Sequence, residues 1–339
     1  MRRDARAGVL LCGLVTLLAA CDGDTPTSTA DQWPVESPGV SLAVSSSSCG
    51  TPSHPGSIVD KVDAPSPWGV AVRDDGLTFF TELFSDGVGI TSTKTRTIDG
   101  FIATGSIPTG IVFSPDGNTA YVANQFGNVS QIDVATRQVT GSVAVDNPLA
   151  VRVSPDGSQL FVATGNTAVV TVDIATLSVV RTVDVGFAPN GFAVHPDGRI
   201  LYVSSFLGGT VSEIDMFTGQ VLRTFTPFGT PQEMALNRKG TRLYVANEGG
   251  WLDEFDLASG QLTNRITLQA GAFGVGVTPD DGQAYLTLPG AGLIQVFTLQ
   301  TRKLAKTINV GGDPRRIAFS QQGHIAAVTN TAGFITFIR

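Results

Sequence analysis

The chain has 339 residues, 42% of them hydrophobic, which supplies core for one large domain or two ordinary ones and excludes disorder throughout. With 39 glycines, 18 prolines and only 15% charged residues, the composition fits a turn-dense β protein better than a helical bundle. A net charge of -7 argues against an extended polyanion-binding surface, which needs clustered Lys and Arg, so nucleic acid is not an expected partner.

Residues 1–20 open with Arg2, Arg3 and Arg6 and continue as a short apolar run ending in small residues, the pattern of an export signal. The run falls short of the roughly 20 residues that span a bilayer. Its end, Leu18-Ala19-Ala20-Cys21, resembles the lipobox of bacterial lipoproteins, and that resemblance implies lipidation of Cys21 as the new first residue. An exported protein held to a membrane through lipid, facing the periplasm or the cell exterior, is the resulting expectation. Several acyl chains on one residue give stable anchoring where one alone is marginal. From 21 to 56 the chain reads as a flexible tether, because Ser, Thr, Pro and Gly make up 21 of residues 22–56 and no Lys or Arg occurs there. Cys12 leaves with the signal and Cys21 is the lipid site, so Cys49 is left alone and no intramolecular disulfide is expected.

Beyond the tether one pattern recurs seven times. Its units open at Pro67, Pro108, Pro148, Pro189, Pro231, Ala272 and Pro314, with spacings of 41, 40, 41, 42, 41 and 42. Such regularity marks a repeat architecture. The second unit shows four strand-like runs, near 111–114, 119–124, 129–133 and 139–145. Pro115-Asp116-Gly117 supplies the first turn, with Pro presetting φ, Asp bonding its own backbone and Gly accepting φ > 0. Four antiparallel strands per unit define a propeller blade. The seventh unit stops after its third strand, and the run 57–63 ahead of the first unit matches a fourth strand. Pairing the two would close the ring and cover both sheet edges. The expectation is an all-β, seven-bladed β-propeller over 57–339. Tyr121-Val122-Ala123-Asn124 and Tyr244-Val245-Ala246-Asn247 resemble the repeats of YVTN-type β-propeller proteins, a resemblance covering nearly all of 57–339. It implies the fold strongly and function only loosely, since the repeated residues are structural.

The loops joining one blade to the next, and those joining second to third strands, share one face, called the top. Asp116, Asp156, Asp197 and Asp280 then belong to bottom turns. Covalent haem attachment, phosphate-loop, nucleophile-elbow and zinc-protease signatures are all absent from the sequence. His54 falls in the tether, and His195 and His324 fall in bottom turns. Related propellers include lactonases and a lyase with a divalent ion or sugar-acid substrate at the channel mouth. That resemblance supports an enzymatic alternative, for which Glu82, Asn124, Asn247 and Asn330, at equivalent second-strand ends, are the candidate oxygen ligands of a divalent cation. No other cofactor is expected.

The leading expectation is a monomeric, non-catalytic binding or scaffold protein of the cell envelope, recognising a peptide, glycan or envelope protein through its top face. Trp68, Phe84, Phe126, Phe187, Phe206, Phe228, Trp251 and Phe273 fall in top loops and suit such recognition. The repeat also breaks by charge at the channel mouth. Two residues after each opening stand Gly69, Gly110, Ala150, Gly191, Glu233, Gly274 and Arg316, small residues at five of seven positions where inner strands crowd the axis. One residue earlier are Trp68, Asn190, Gln232 and Arg315, with Asp313 beside the last. Two readings stand side by side: a cross-channel Glu233–Arg316 ion pair that plugs the tunnel, or Arg315 and Arg316 left open to hold a carboxylate.

Overall fold

The structure, a computed structural model, describes residues 56–226, 229–320 and 325–339. The signal, Cys21, Cys49, His54, Phe228 and His324 lie outside these residues. Strand β1 (Ile58–Asp63) precedes blade one, which consists of β2 (Pro67–Val72), β3 (Leu77–Glu82), β4 (Gly87–Ser92) and β5 (Gly100–Ala103). Six further four-stranded antiparallel sheets follow, one per repeat unit. Their inner strands start at Pro108, Pro148, Pro189, Pro231, Val275 and Pro314.

Each blade is built by local chemistry. In the bottom turns a hydroxyl and an aspartate lock the hairpin: Ser114 Oγ donates to Asp116 Oδ1 at 2.5 Å, and Asp116 accepts the Asn118 N–H at 3.1 Å. Ser154 with Asp156 and Thr278 with Asp280 repeat the device. The turns between third and fourth strands use a second one, in which an Asp accepts from the N–H three residues on, as Thr136 to Asp133 and Thr176 to Asp173 do.

Alternation then places one face of every strand between blades. Phe79, Val88 and Ile90 of blade one pack with Ile111, Val122 and Ile132 of blade two. Tyr121 and Val129 of blade two meet Leu160 and Val172 of blade three. The outermost strands keep exposed residues on both faces, as the patterns of 138–144 and 178–184 show.

Blade seven closes as expected from the sequence. Strand β1 pairs antiparallel with Phe334–Ile338, setting Asp63 opposite Phe334, Val62 opposite Ile335 and Lys61 opposite Thr336. Packing reinforces the seam: Phe80 of blade one is fully buried against Ala327, Ile335 and Phe337 of blade seven. Thr329 Oγ1 donates across it to the Trp68 carbonyl at 2.7 Å.

Deleting residues 57–63 should lower the melting temperature of the whole ring, because it strips the ladder from Phe334–Ile338 and reopens an edge. An unchanged melting temperature would place the closure elsewhere. The turn aspartates set a pH dependence as well. Hydrogen bonds from their turns hold the carboxyls of Asp116, Asp133, Asp156, Asp173, Asp256 and Asp280 below the usual range. A depressed native pKa stabilises the fold above the unfolded value and loses that contribution as pH falls through the native value. Thermal stability should therefore hold steady through neutral pH and fall once pH drops below about 4; a melting temperature independent of pH in that range would contradict it.

Candidate functional site at the channel mouth

The inner strands approach so closely that a side chain has almost no room at the second position. A Cβ on Gly69 would lie 2.2 Å from the Thr109 carbonyl oxygen, and one on Gly274 would lie 2.4 Å from that of Arg315. Hydroxyls fill the gap between blades instead. Thr287 Oγ1 accepts the Gly274 N–H at 2.7 Å and donates to the Arg315 carbonyl at 2.6 Å; Ser204 treats Gly191 and Gln232 in the same way. Blade five has Ala246 at the corresponding place, and there the Glu233 N–H reaches the Phe273 carbonyl directly at 3.1 Å.

The two charged exceptions to the small-residue ring meet. Arg316 Nη1 donates to Glu233 Oε1, and Nη2 donates to Asn190 Oδ1 at 3.1 Å. Asn190 Nδ2 donates to Gln232 Oε1, and Gln232 Nε2 to Glu248 Oε1 at 2.8 Å. One polar chain thus crosses the mouth through blades seven, five and four. Glu233 is buried and Arg316 nearly so, with side-chain exposures of 9% and 11%. Burial first, and the nearby Arg152 guanidinium second, lower the Arg316 pKa.

Arg315 does not join Arg316 as an open anion fork. Its Nε and Nη2 donate to Asp313 Oδ2 at 3.1 and 2.7 Å, and its guanidinium stacks 5.1 Å from the ring centres of both Trp68 and Phe273. Asp313 also accepts from Thr331 Oγ1 at 2.7 Å. Each arginine has its own carboxylate, so of the two readings of the mouth the structure carries the plugging pair.

The oxygen-ligand candidates serve loops. Asn124 accepts from Thr104 Oγ1 at 3.0 Å and donates to Asn128 Oδ1 at 2.7 Å and Ser130 Oγ at 2.9 Å. Asn247 Oδ1 accepts the N–H groups of Thr230 and Gly249, and Asn330 Oδ1 those of Asp313 and Ala332. Glu82 is buried, which pushes its pKa up while a Ser85 hydrogen bond opposes the rise. No hydrogen bond among the described residues joins any two of these four. His195 is a bottom-turn residue, with Nδ1 2.8 Å from Asp197 Oδ1 and Nε2 3.1 Å from the Gly240 carbonyl.

Sequence reasoning missed Arg152. Four residues after each opening stand Ala71, Val112, Arg152, Ala193, Ala235, Gly276 and Ala318, so one cation interrupts a ring of small and apolar residues. Applying the charge-break argument two positions deeper would have found it. Arg152 lines a narrow channel cavity of about 30 Å³ shared with Glu233 and Arg316.

These features define a seven-bladed β-propeller with a polar plug at its top mouth. Its fold is similar to that of a solved structure titled Kuenenia stuttgartiensis Hydrazine Synthase, with a TM-score of 0.76 and 19% identity over 82% of this chain and 96% of that one. At that identity the likeness shows the fold alone. No protein-family model and no curated protein matches the sequence.

Replacing Arg316 or Glu233 singly by alanine should cost about 3 kcal/mol or more, because each leaves a buried charge without its partner. The double variant should lose less than the sum of the two, and additive losses in denaturant unfolding would show that the pair does not couple.

Proposed function

We propose that this protein is a lipid-anchored cell-envelope propeller of the YVTN-repeat type that binds a partner protein, without catalysis, through its top face. The observation that carries the reading is a set of exposed apolar side chains on top loops of blades one to four. Phe84, Phe126 and Leu207 lie between second and third strands, and Phe187 lies between blades three and four; their exposures are 79%, 75%, 68% and 65%. Large apolar groups held in water are a feature of protein-recognition surfaces, and these four on the top loops outnumber the two in bottom turns, Phe217 and Ile98. The other expected aromatics act differently. Phe273 is buried, Phe206 and Trp68 are half-buried, and Trp251 lies under the Arg265 guanidinium at 4.6 Å.

Two further features support the choice of face and of partner class. The Glu233–Arg316 plug occupies the top mouth, which favours recognition across the rim over entry of a small substrate. Strand β1 begins at the bottom end of blade seven, so the chain from the tether joins the ring on the side opposite these loops. Lipid on Cys21 and the tether of residues 21–56 would then hold the propeller at a membrane with its top face free.

One experiment tests both parts. Membrane fractions of cells making the wild-type chain, Cys21→Ala, and the triple variant Phe84→Asp, Phe126→Asp, Phe187→Asp are compared after site-specific cross-linking from the top loops. Cys21→Ala should move to the soluble fraction, and the triple variant should stay at the membrane, keep its melting temperature and lose its cross-linked partner. Membrane retention of Cys21→Ala would overturn the anchor, and an undiminished cross-link would overturn the face.

A further inference from the structure

The second charge break in the channel points in the opposite direction from the first. Arg152 sits on the inner strand Pro148–Val153 and lines two spaces at once: the narrow channel cavity it shares with Arg316, and a bowl of about 600 Å³ opening on the bottom face between blades seven, one and two. Nine arginines of the ring pair with carboxylates. Among the described residues Arg152 does not, nor do Arg137, Arg181 and Arg238; Arg152 Nη1 donates to the Val151 carbonyl at 3.2 Å. A guanidinium has five N–H donors in a planar fork, so most of its capacity is unspent.

The surroundings make that unusual. Arg152 is recessed enough for burial to lower its pKa, and its charge in turn helps lower that of Arg316, another cation. Arg152 and Arg316 face one carboxylate, Glu233, which leaves the channel one positive charge in excess. Arg316 Nε is also buried without a partner among the described residues. A recessed, uncompensated charge is costly unless something pairs with it.

We infer that Arg152 is the anchor of a binding site for a small organic monocarboxylate, entered through the bottom-face bowl. A carboxylate matches the fork of the guanidinium and supplies the single negative charge that the channel lacks. The bowl falls within the roughly 300–1,000 Å³ range of small-molecule sites. Its walls include Val72, Val112, Phe113 and Phe319, which suit an apolar body behind the carboxylate. Its rim restricts the charge. Asp74, Asp75 and Asp116 lie there; Asp75 is held by Arg73 at 2.6 Å and Asp116 by its own turn. Arg73 offsets one of these three carboxylates, and the net negative charge that remains at the entrance disfavours phosphates and polycarboxylates, so a lone carboxylate meets the least repulsion. The site is independent of the top-face reading, lying at the other end of the ring.

The test is calorimetric and NMR titration of the whole chain with benzoate and butyrate, set against benzamide, nitrate and inorganic phosphate. The carboxylates should bind saturably, benzoate more tightly than butyrate, while benzamide and phosphate do not bind. Arg152→Gln should weaken benzoate by about tenfold or more, the size of a lost hydrogen bond to a charged group, and its ligand-free melting temperature should equal or exceed wild type. Arg152→Lys keeps the charge without the fork, so it should bind benzoate more weakly than wild type; it decides the matter if the glutamine variant does not fold. Absence of saturable carboxylate binding, affinity unchanged in either variant, or nitrate binding as tight as benzoate would overturn the proposal, the last by showing a site for bare anions.

Discussion

Crowding at the axis is the constraint from which the rest of this ring follows. Seven inner strands converge until the backbone of one blade lies within van der Waals reach of the next, and a methyl at Gly69 or Gly274 would overlap a neighbouring carbonyl. Glycine is required there by close approach, not by turn geometry. Because side chains are excluded, blades are joined at the axis by hydroxyls that accept from one backbone and donate to the next, as Thr287 and Ser204 do. Buried polar groups are tolerable there because they are satisfied in both directions.

The same crowding gives the channel its chemistry. Where only glycine or alanine fits, any larger residue stands out against an otherwise featureless wall. Glu233 and Arg316 fill the mouth together and pair with each other, extended by Asn190 and Gln232 into a continuous chain. Arg152 fills the deeper ring without an equivalent acid. The top is therefore electrostatically closed, while the lower channel carries an unmatched positive charge. That contrast separates the two ends of one tunnel: apolar loops around a plugged mouth above, and a bowl with a cation at its floor below.

Away from the axis the ring is held by ordinary means. Apolar faces alternate between blades, and the seam between blades seven and one combines a backbone ladder with the burial of Phe80. The seam differs from the other blade junctions in being made from both ends of the folded chain. Its loss would expose an edge strand at the place where the sheets have no covalent continuity.

Much of this was legible in the residues alone. Seven units at intervals of 40–42 residues, alternation within each run and Asp-Gly turns specify strands, blades and their number, because strand periodicity and turn chemistry are properties of neighbours in the chain. The missing fourth strand of blade seven was visible at 57–63 for the same reason. The small-residue ring, with its breaks at Glu233 and Arg316, could also be seen by aligning the units. What the sequence could not decide was which charges meet. Arg316 lies 83 residues from Glu233 and 126 from Asn190, whereas Arg315 turns to Asp313 two residues away. Those choices depend on where each blade stands around the axis and how far a side chain reaches across it. Tertiary structure alone brought Arg316 to an acid and left Arg152 facing open space, because compensation of a recessed charge is settled by distance in three dimensions and not by order along the chain.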